Sequence, residues 1–353
     1  MTPRAFCEFP AGLASVSLRL HGGPGCRPPI SRMGNKAGYA ETILWTLGLT
    51  AGKSAGAYVW AEADDDVRAL LRAYPDPALL LQIAEIIRGW KDEEPRALWE
   101  RLRAERKARG PQVDAEGTAG WMTHTAWTYT AGTMYAGPDR PSQCHPEGWT
   151  ASITADGIED RCHRLAEYAQ IASANRLINV AGPDLRNTGK GGTTFGGAEF
   201  ATPAGEVAGA FEAASFAKVG AALASSWPPV AVLPRIPSAA DVAIWLGTPG
   251  DLDGVVVYMD PPYQDTTGYL HSLGREEVVS IAVEFAELGA VVAVSEAVPL
   301  PELVALGWHV AEITGGRKGQ KRTFSKQQGE FLTMNREPRY IVAQQVAMFG
   351  GAE

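Results

Sequence analysis

The chain has 353 residues and a formal net charge of −8, so it is long enough for one large domain or a domain with an insertion, and it is not basic overall. Hydrophobic residues make up 45% and charged residues 20%, a balance that predicts a packed core rather than a disordered chain. Four cysteines in so long a chain argue against a disulfide framework, and no run of about 18 apolar residues predicts a membrane span. We therefore expect a cytoplasmic protein without a membrane partner, in which any basic groove is local.

Short apolar runs near both ends of the chain predict buried strands. They span residues 5–9, 57–62, 254–259, 290–297 and 308–314. A further strand is predicted within 229–237. Between two of these strands, one buried helix face is predicted by four apolar residues at helical spacing: Val278, Ile281, Ala282 and Phe285. Strands that alternate with helices indicate a doubly wound, mostly parallel α/β sheet.

The middle of the chain has a different composition. A charged stretch over residues 79–109 predicts helix, which Gly110 and Pro111 end. The segment 118–150 is rich in Trp, Tyr, Thr and Gly and shows little periodicity. We therefore predict an insertion over 76–205 in a sheet domain formed by residues 1–75 and 206–345.

The most informative motif is Asp260-Pro261-Pro262-Tyr263, which follows the apolar strand at 254–259 directly. In open parallel sheets, ligands bind beyond the carboxyl ends of the strands. The prolines stiffen the backbone and remove two N–H donors, so the Asp260 carboxylate and the Pro261 carbonyl form a pair of acceptors. Two acceptors could hold the N–H groups of a nucleobase amine and aim its lone pair at an electrophile, while the base stacks on Tyr263 after flipping out of a duplex. The methyl group of S-adenosylmethionine is an electrophile that suits this arrangement.

With this motif, the sequence resembles the amino-methyltransferases, and more narrowly the Dam-like DNA adenine N6-methyltransferases. Four further segments are similar to that family: NRLINVAGPDLRNTGKGGTTFGG (175–197), TTGYLHSLGREEVVSIAVEFAE (266–287), VAVSEA (292–297) and RKGQKRTFSKQQGEFLTMN (317–335). CEFPAGLASVSL (7–18) resembles the cofactor loop of the family, with Ala14 where a second glycine is usual. SRMGNKAGYAETIL (31–44) resembles the Gly-x-Lys segment that usually precedes that loop, so the two motifs stand in swapped order.

The resemblance implies a Rossmann-like S-adenosylmethionine-dependent methyltransferase domain over 1–75 and 206–345, with 76–205 as the target-recognition region. It implies catalytic roles for Asp260, Pro261, Pro262 and Tyr263. It implies cofactor contacts for Glu8, Pro10, Gly12, Gly34, Lys36, Glu62 and Asp260, with Glu62 at the ribose and Glu8 toward the methionine end. It implies DNA contacts for Arg186, Asn187, Lys190, Arg317, Lys318, Lys321 and Arg322.

The same resemblance implies that the reaction leaves S-adenosylhomocysteine and that the partner is double-stranded DNA with a flipped adenine, in a bacterial or phage-infected cell. No metal is expected, because Cys144-His145 and Cys162-His163 lack the Cys-x-x-Cys spacing of a structural zinc site.

The swapped order makes a geometric prediction. If residues 7–18 form the cofactor loop, the strand at 5–9 must lie between the strands at 57–62 and 254–259, with Lys36 within reach of Asp260. In the rival interpretation the N-terminus is a dispensable arm, and the strand at 57–62 is the first cofactor strand.

Other functions stay open at this stage. A methyltransferase for the cytosine N4 amine, an RNA base or a protein glutamine would present a comparable planar nitrogen. A catalytically inactive relative that keeps the fold would bind DNA without methyl transfer.

Overall fold

The computed structural model describes residues 2–24, 26–30, 36–129, 134–135, 137–138, 157–167, 227–261, 273–313 and 330–339. The strands are β1 (Ala5–Phe9), β2 (Tyr58–Ala61), β3 (Thr128–Tyr129), β4 (Met134–Tyr135), β5 (Val230–Leu233), β6 (Val255–Met259), β7 (Val291–Glu296), β8 (His309–Glu312) and β9 (Phe331–Met334). The helices are α1 (Ser15–Gly22), α2 (Ala40–Thr46), α3 (Asp65–Ala73), α4 (Pro77–Gly89), α5 (Pro95–Arg109), α6 (Ala115–Ala126), α7 (157–167), α8 (Ala239–Trp245), α9 (Arg275–Glu287) and α10 (Pro301–Ala305), with a 3-10 turn at Lys36–Gly38.

Seven strands form one sheet in the order β5-β2-β1-β6-β7-β9-β8. The five strands from β5 to β7 in this order are parallel, whereas β9 runs antiparallel to both of its neighbours. The prediction of a mostly parallel α/β sheet is therefore confirmed, and the order is compatible with a Rossmann-like fold. β3 and β4 form a separate two-stranded ribbon.

The N-terminal strand β1 lies inside the sheet. Phe6 pairs with Tyr58 of β2 on one side and with Val256 of β6 on the other. All five residues of β1 are buried. The geometric prediction from the swapped motifs is thus confirmed for β1, and the rival interpretation is wrong in placing the N-terminus outside the sheet as an arm. The intolerance of truncation stays a prediction.

Alternate residues of the central strands face two different cores, as expected for strands covered on both faces. One face carries Phe6, Tyr58 and Trp60, and packs with α1, α2 and the helices α4 and α6. The other face carries Cys7 and Phe9, and packs with α8, α9 and α10. The predicted helix face of α9 buries Val278, Ala282 and Phe285, while Ile281 is half-buried.

The charged helical stretch after residue 76 forms two helices rather than one. Pro95 begins α5, because the Glu94 carboxylate accepts the backbone N–H groups of Arg96 and Ala97 and so caps a new helix. α5 ends at Gly110, as predicted. The first helices of the predicted insertion pack against the sheet domain, because α4 and α6 share a core with the sheet. The boundaries 76 and 205 stay predictions.

Helix α6 lies in the segment whose sequence shows little periodicity. Asp114 caps it by accepting the Gly117 N–H at 2.8 Å. A Cβ atom at Gly117 would lie 2.6 Å from the carbonyl oxygen of Gln112, and one at Gly120 would lie 3.2 Å from the Leu102 side chain. These glycines therefore let α6 pack close to α5 and its connecting loop, although they lower helix propensity.

Strand β8 differs from its prediction in burial. The run at 308–314 predicts a buried strand, but β8 lies at the edge of the sheet, where His309 and Glu312 are exposed. β5 lies at the opposite edge and is only half-buried. In the part of the chain that the structure describes, no helix has the length and apolarity needed to cross a membrane.

Candidate active site

The sheet has a topological switch point between β1 and β6. From β1 the chain moves outward to β2 and β5, and it then returns to the other side of β1 as β6. In open α/β sheets, ligands bind in the crevice beyond the carboxyl ends of the strands at such a point. The loop at 10–14 follows β1 here, and Asp260 follows β6. The backbone N–H of Asp260 donates to the Phe9 carbonyl at 2.9 Å, which fixes the two strand ends side by side.

Asp260 forms an ion pair with Lys36 at this edge. The Lys36 Nζ lies 2.7 Å from Asp260 Oδ1, and the side chains are 7% and 19% exposed, respectively. Lys36 begins the 3-10 turn that packs against α1 and α2. The predicted proximity of Lys36 to Asp260 is thus confirmed, whereas a contact of Lys36 with a cofactor stays a prediction.

A second carboxylate lies behind Lys36. Glu330 Oε1 is 3.6 Å from the Lys36 Nζ, and it accepts a hydrogen bond from the Ser295 hydroxyl. Because β9 is antiparallel to β7, Glu330, which immediately precedes β9, lies at the same edge as the carboxyl end of β7. Glu296, the last residue of β7, is a third carboxyl group at this edge.

Two of these carboxyl groups have raised pKa values. Burial raises the pKa of Asp260 from its ordinary value of 3.8 to about 6; Lys36 lowers it, and the charge of Glu330 raises it further. Burial also raises the pKa of Glu296 to about 7, with smaller upward contributions from Asp260 and Glu330. Perturbed carboxyl groups that cluster in a crevice are typical of functional sites, although structural ion pairs produce them too.

The loop between β1 and α1 turns sharply at the same edge. Gly12 has a φ of +48°, and an added Cβ atom would meet no atom within 4 Å, so its outer face borders open space. Ala14 also adopts a left-handed conformation, with φ 48° and ψ 42°, where a glycine is the usual residue. The Gly12 N–H donates to Glu62 Oε2 at 2.9 Å, and the Asp64 N–H donates to Glu62 Oε1 at 3.0 Å. Glu62 at the end of β2 therefore anchors this loop.

Glu8 faces the start of α1. Its carboxylate accepts the backbone N–H groups of Val16, at 3.3 Å, and Ser17, at 2.9 Å, as well as the Ser17 hydroxyl. Trp60 donates its indole N–H to the same hydroxyl at 2.9 Å. Glu8 is 3% exposed, and burial raises its pKa from 4.5 to about 7, despite these hydrogen bonds. Glu8 thus ties β1 to α1, and a direct contact with a cofactor stays a prediction.

Several predicted site residues lie outside the described part of the chain. They are Pro262, Tyr263, Gly34, Arg186, Asn187, Lys190, Arg317, Lys318, Lys321 and Arg322. Pro261 is described and buried, and Pro10 forms part of the loop after β1. Ser295, Glu296 and Glu330 were not predicted as site residues, although the segments 292–297 and 317–335, which the resemblance covers, contain them. For Glu330, the local pattern offers only a carboxylate directly before an apolar strand.

Helix α5 presents a second charged surface. It contains six Arg or Lys residues and two Glu residues, which gives a net charge of +4. Arg103, Lys107 and Arg109 are exposed, and within the described ranges no ion pair engages them. The Arg103 guanidinium lies 5.3 Å from the centre of the Trp99 ring, a distance typical of a cation–π contact. An exposed run of cations on one helix suits contact with phosphate groups.

A scan against models of known protein families finds no match, and a search of curated proteins finds no significant match. The geometry of the site and the motifs of the sequence are therefore what indicates a function for this chain.

Proposed function

We propose that this chain is an S-adenosylmethionine-dependent methyltransferase that transfers a methyl group to the N6 amine of adenine in DNA. The observation that carries the proposal is the position of Asp260, a half-buried carboxylate at the switch point of the sheet. It lies beside the end of β1, where the glycine-containing loop begins, and Glu62 anchors that loop. Sequence motifs that resemble the Dam-like family support the same reaction.

The residues at this edge fit the proposed cofactor. The open face of Gly12 allows a ligand to approach the backbone closely, as the loop after the first strand does in dinucleotide-binding sheets. Glu62 is half-exposed, and each of its oxygens has a second lone pair for a ribose hydroxyl. Bound at this loop, S-adenosylmethionine would supply an electrophilic methyl group for the amine nitrogen, and its sulfur would keep the electron pair of the S–CH₃ bond.

Asp260 acts on the amine in this proposal. Lys36 engages one carboxylate oxygen, so the other accepts an N–H of the target amine, together with the Pro261 carbonyl. This draws the nitrogen toward sp³ geometry and frees its lone pair for attack. The methylated nitrogen then loses one proton, which the Asp260 carboxylate accepts and passes to water. A pKa of about 6 suits a group that takes and releases a proton near neutrality.

The recognition of DNA is proposed from charge. The exposed cations of α5, in the insertion that the resemblance implies for target recognition, supply phosphate contacts. Three further parts of this proposal are based on the sequence alone. They are Tyr263, on which the flipped base would stack, and the predicted basic residues at 186–190 and 317–322.

The test is expression in a host without DNA methylation, followed by modification-sensitive sequencing of its genome and a transfer assay with labelled S-adenosylmethionine. We expect N6-methyladenine at a short repeated sequence. Asp260→Asn should lower transfer at least about 100-fold, because the added NH₂ group repels the amine. Asp253→Asn is the matched control, since Asp253 is exposed at the other end of β6 and should be fully active. Methylation of cytosine, RNA or protein instead, or DNA binding without transfer, would contradict the adenine proposal.

A further inference from the structure

Asp260 is the end of a series of four side chains in contact, and the proposed reaction assigns no role to the two that are farthest from it. It runs from Ser295 in β7 to Glu330 before β9, then to Lys36 and to Asp260. Ser295 is fully buried, Glu330 is 8% exposed and Lys36 is 7% exposed. Three parts of the chain that are far apart in sequence thus converge on one carboxylate.

A lysine needs such support in order to position another group. Its ammonium sits on a flexible four-carbon stem, and it can approach either oxygen of a carboxylate. With Glu330 on its other side, the Lys36 Nζ is held between two carboxylates and contacts Oδ1 of Asp260. The Ser295 hydroxyl fixes Glu330 in turn. Without Glu330, Lys36 could move across Asp260 and compete with an incoming amine for the second oxygen.

We propose that Glu330, held by Ser295, is a positioning residue that fixes Lys36, and through it the orientation and charge of Asp260. This inference rests on the proposed function for its catalytic meaning. The arrangement of the four side chains carries it independently of the substrate.

Charges from each neighbouring element act on Asp260. Lys36, in the 3-10 turn, favours the ionised form, and Glu330, before β9, disfavours it. Among the residues that the structure describes, Glu296, at the end of β7, and Glu8, in β1, are the other carboxyl groups that interact with the Asp260 charge. Removing the charge of Glu330 should therefore make Asp260 easier to ionise, whereas removing the Ser295 hydroxyl leaves every charge in place.

The decisive experiment compares Glu330→Gln with Ser295→Ala. For Glu330→Gln we expect kcat to fall roughly tenfold or more with little change in KM for DNA, because the carboxylate is misplaced. The acidic limb of its pH profile should move to lower pH by about half a unit or more. For Ser295→Ala we expect a fall in kcat without that movement. Glu337→Gln is the control, since Glu337 is exposed at the other end of β9.

A second measurement separates this inference from the proposed function. The Asp260 carboxyl signal, assigned with Asp260→Asn in ¹³C-labelled protein, should titrate at lower pH in Glu330→Gln than in the unaltered chain, with or without DNA. An unchanged titration midpoint would overturn the inference, even in an active enzyme. A shifted midpoint in a protein that methylates nothing would support the inference and refute the function. If Glu330→Gln does not fold, Ser295→Ala decides: a kcat equal to that of the unaltered chain overturns the inference.

Discussion

Glu8 makes a prediction whose size follows from its burial. The pKa of its carboxyl group is raised from 4.5 to about 7 in the folded chain, mainly by burial. A raised carboxyl pKa contributes stability that is fully present below pH 4.5 and is lost as the pH rises through about 7. Between pH 5 and pH 8 this loss amounts to about 2.5 kcal/mol, since each unit of pKa difference corresponds to about 1.4 kcal/mol.

The perturbation is Glu8→Gln, which keeps the shape of the side chain and removes its ionisation. The amide has only one acceptor oxygen for the N–H groups of Val16 and Ser17, so we expect the variant to be less stable at pH 5 by about 1–2 kcal/mol. Raising the pH to 8 should shift the difference in unfolding free energy by about 2–3 kcal/mol in favour of the variant. Urea unfolding at pH 5, 6, 7 and 8 measures this difference at each pH.

Glu94→Gln supplies the matched control. Glu94 also caps a helix through two backbone N–H groups, but it is fully exposed, and those hydrogen bonds lower its pKa. Any stability linked to a lowered carboxyl pKa is lost only as the pH falls below about 4.5. The difference in unfolding free energy between Glu94→Gln and the unaltered chain should therefore be constant from pH 5 to pH 8. Parallel stability curves for Glu8→Gln and the unaltered chain would refute the reasoning, and would mean that the N–H groups of α1 offset the burial of the charge in full.

Deleting residues 1–12 should abolish cooperative unfolding, because it removes a strand that is hydrogen-bonded on both sides; a truncated chain with a sharp thermal transition would contradict this. Gly117→Ala should lower the unfolding free energy by at least about 2 kcal/mol, because its Cβ atom would clash with backbone. Gly89→Ala, in open space at the end of α4, should instead raise it by about 0.5–1 kcal/mol, and equal effects at the two sites would count against the packing of α6. Replacing Arg103 and Lys107 with Gln should reduce the slope of log affinity for DNA against log salt by roughly 1–2, and an unchanged slope would remove α5 from the interface.

The strands were predictable because two layers of helices cover the sheet. A strand buried on both faces appears in a sequence as an unbroken apolar run, and β6 (Val255–Met259) is buried at every position. The position of β8 in the sequence was predicted correctly, but its burial was not. Its sequence does not reveal that it has only one neighbouring strand. Helix α6 was not predicted, because Gly117 and Gly120 interrupt the apolar pattern and lower the helix propensity of the segment. In the structure, these glycines allow α6 to pack closely against α5 and the loop that connects the two helices.

Strand direction predicts site residues only where a residue follows a strand in the parallel direction, whereas the position of Lys36 was predicted from the resemblance of residues 31–44 to a known motif. Asp260 follows β6, so the general location of ligands in α/β sheets was enough to single it out. Glu330 precedes its strand, and it reaches the same edge only because β9 is reversed. An apolar run does not reveal its direction, so nothing in the local pattern brings Glu330 to Lys36. The hydrogen bonds that turn Glu8 toward α1 depend on the packing of that helix, which the sequence does not show either.

The order of the motifs along the chain has little influence on where they lie. Helix α1 starts at the ligand edge and, with eight residues, carries the chain only about 12 Å away. Thirteen residues then separate Gly22 from Lys36, and the extended chain between these two residues spans roughly 45 Å, more than three times the return distance. A segment that supplies one lysine to the edge can therefore be attached before β1 or after α1 without moving any side chain of the site. The crevice is defined by the ends of β1, β2, β6 and β7 and by the start of β9, and the contact between Lys36 and Asp260 depends on that convergence rather than on the order of the motifs.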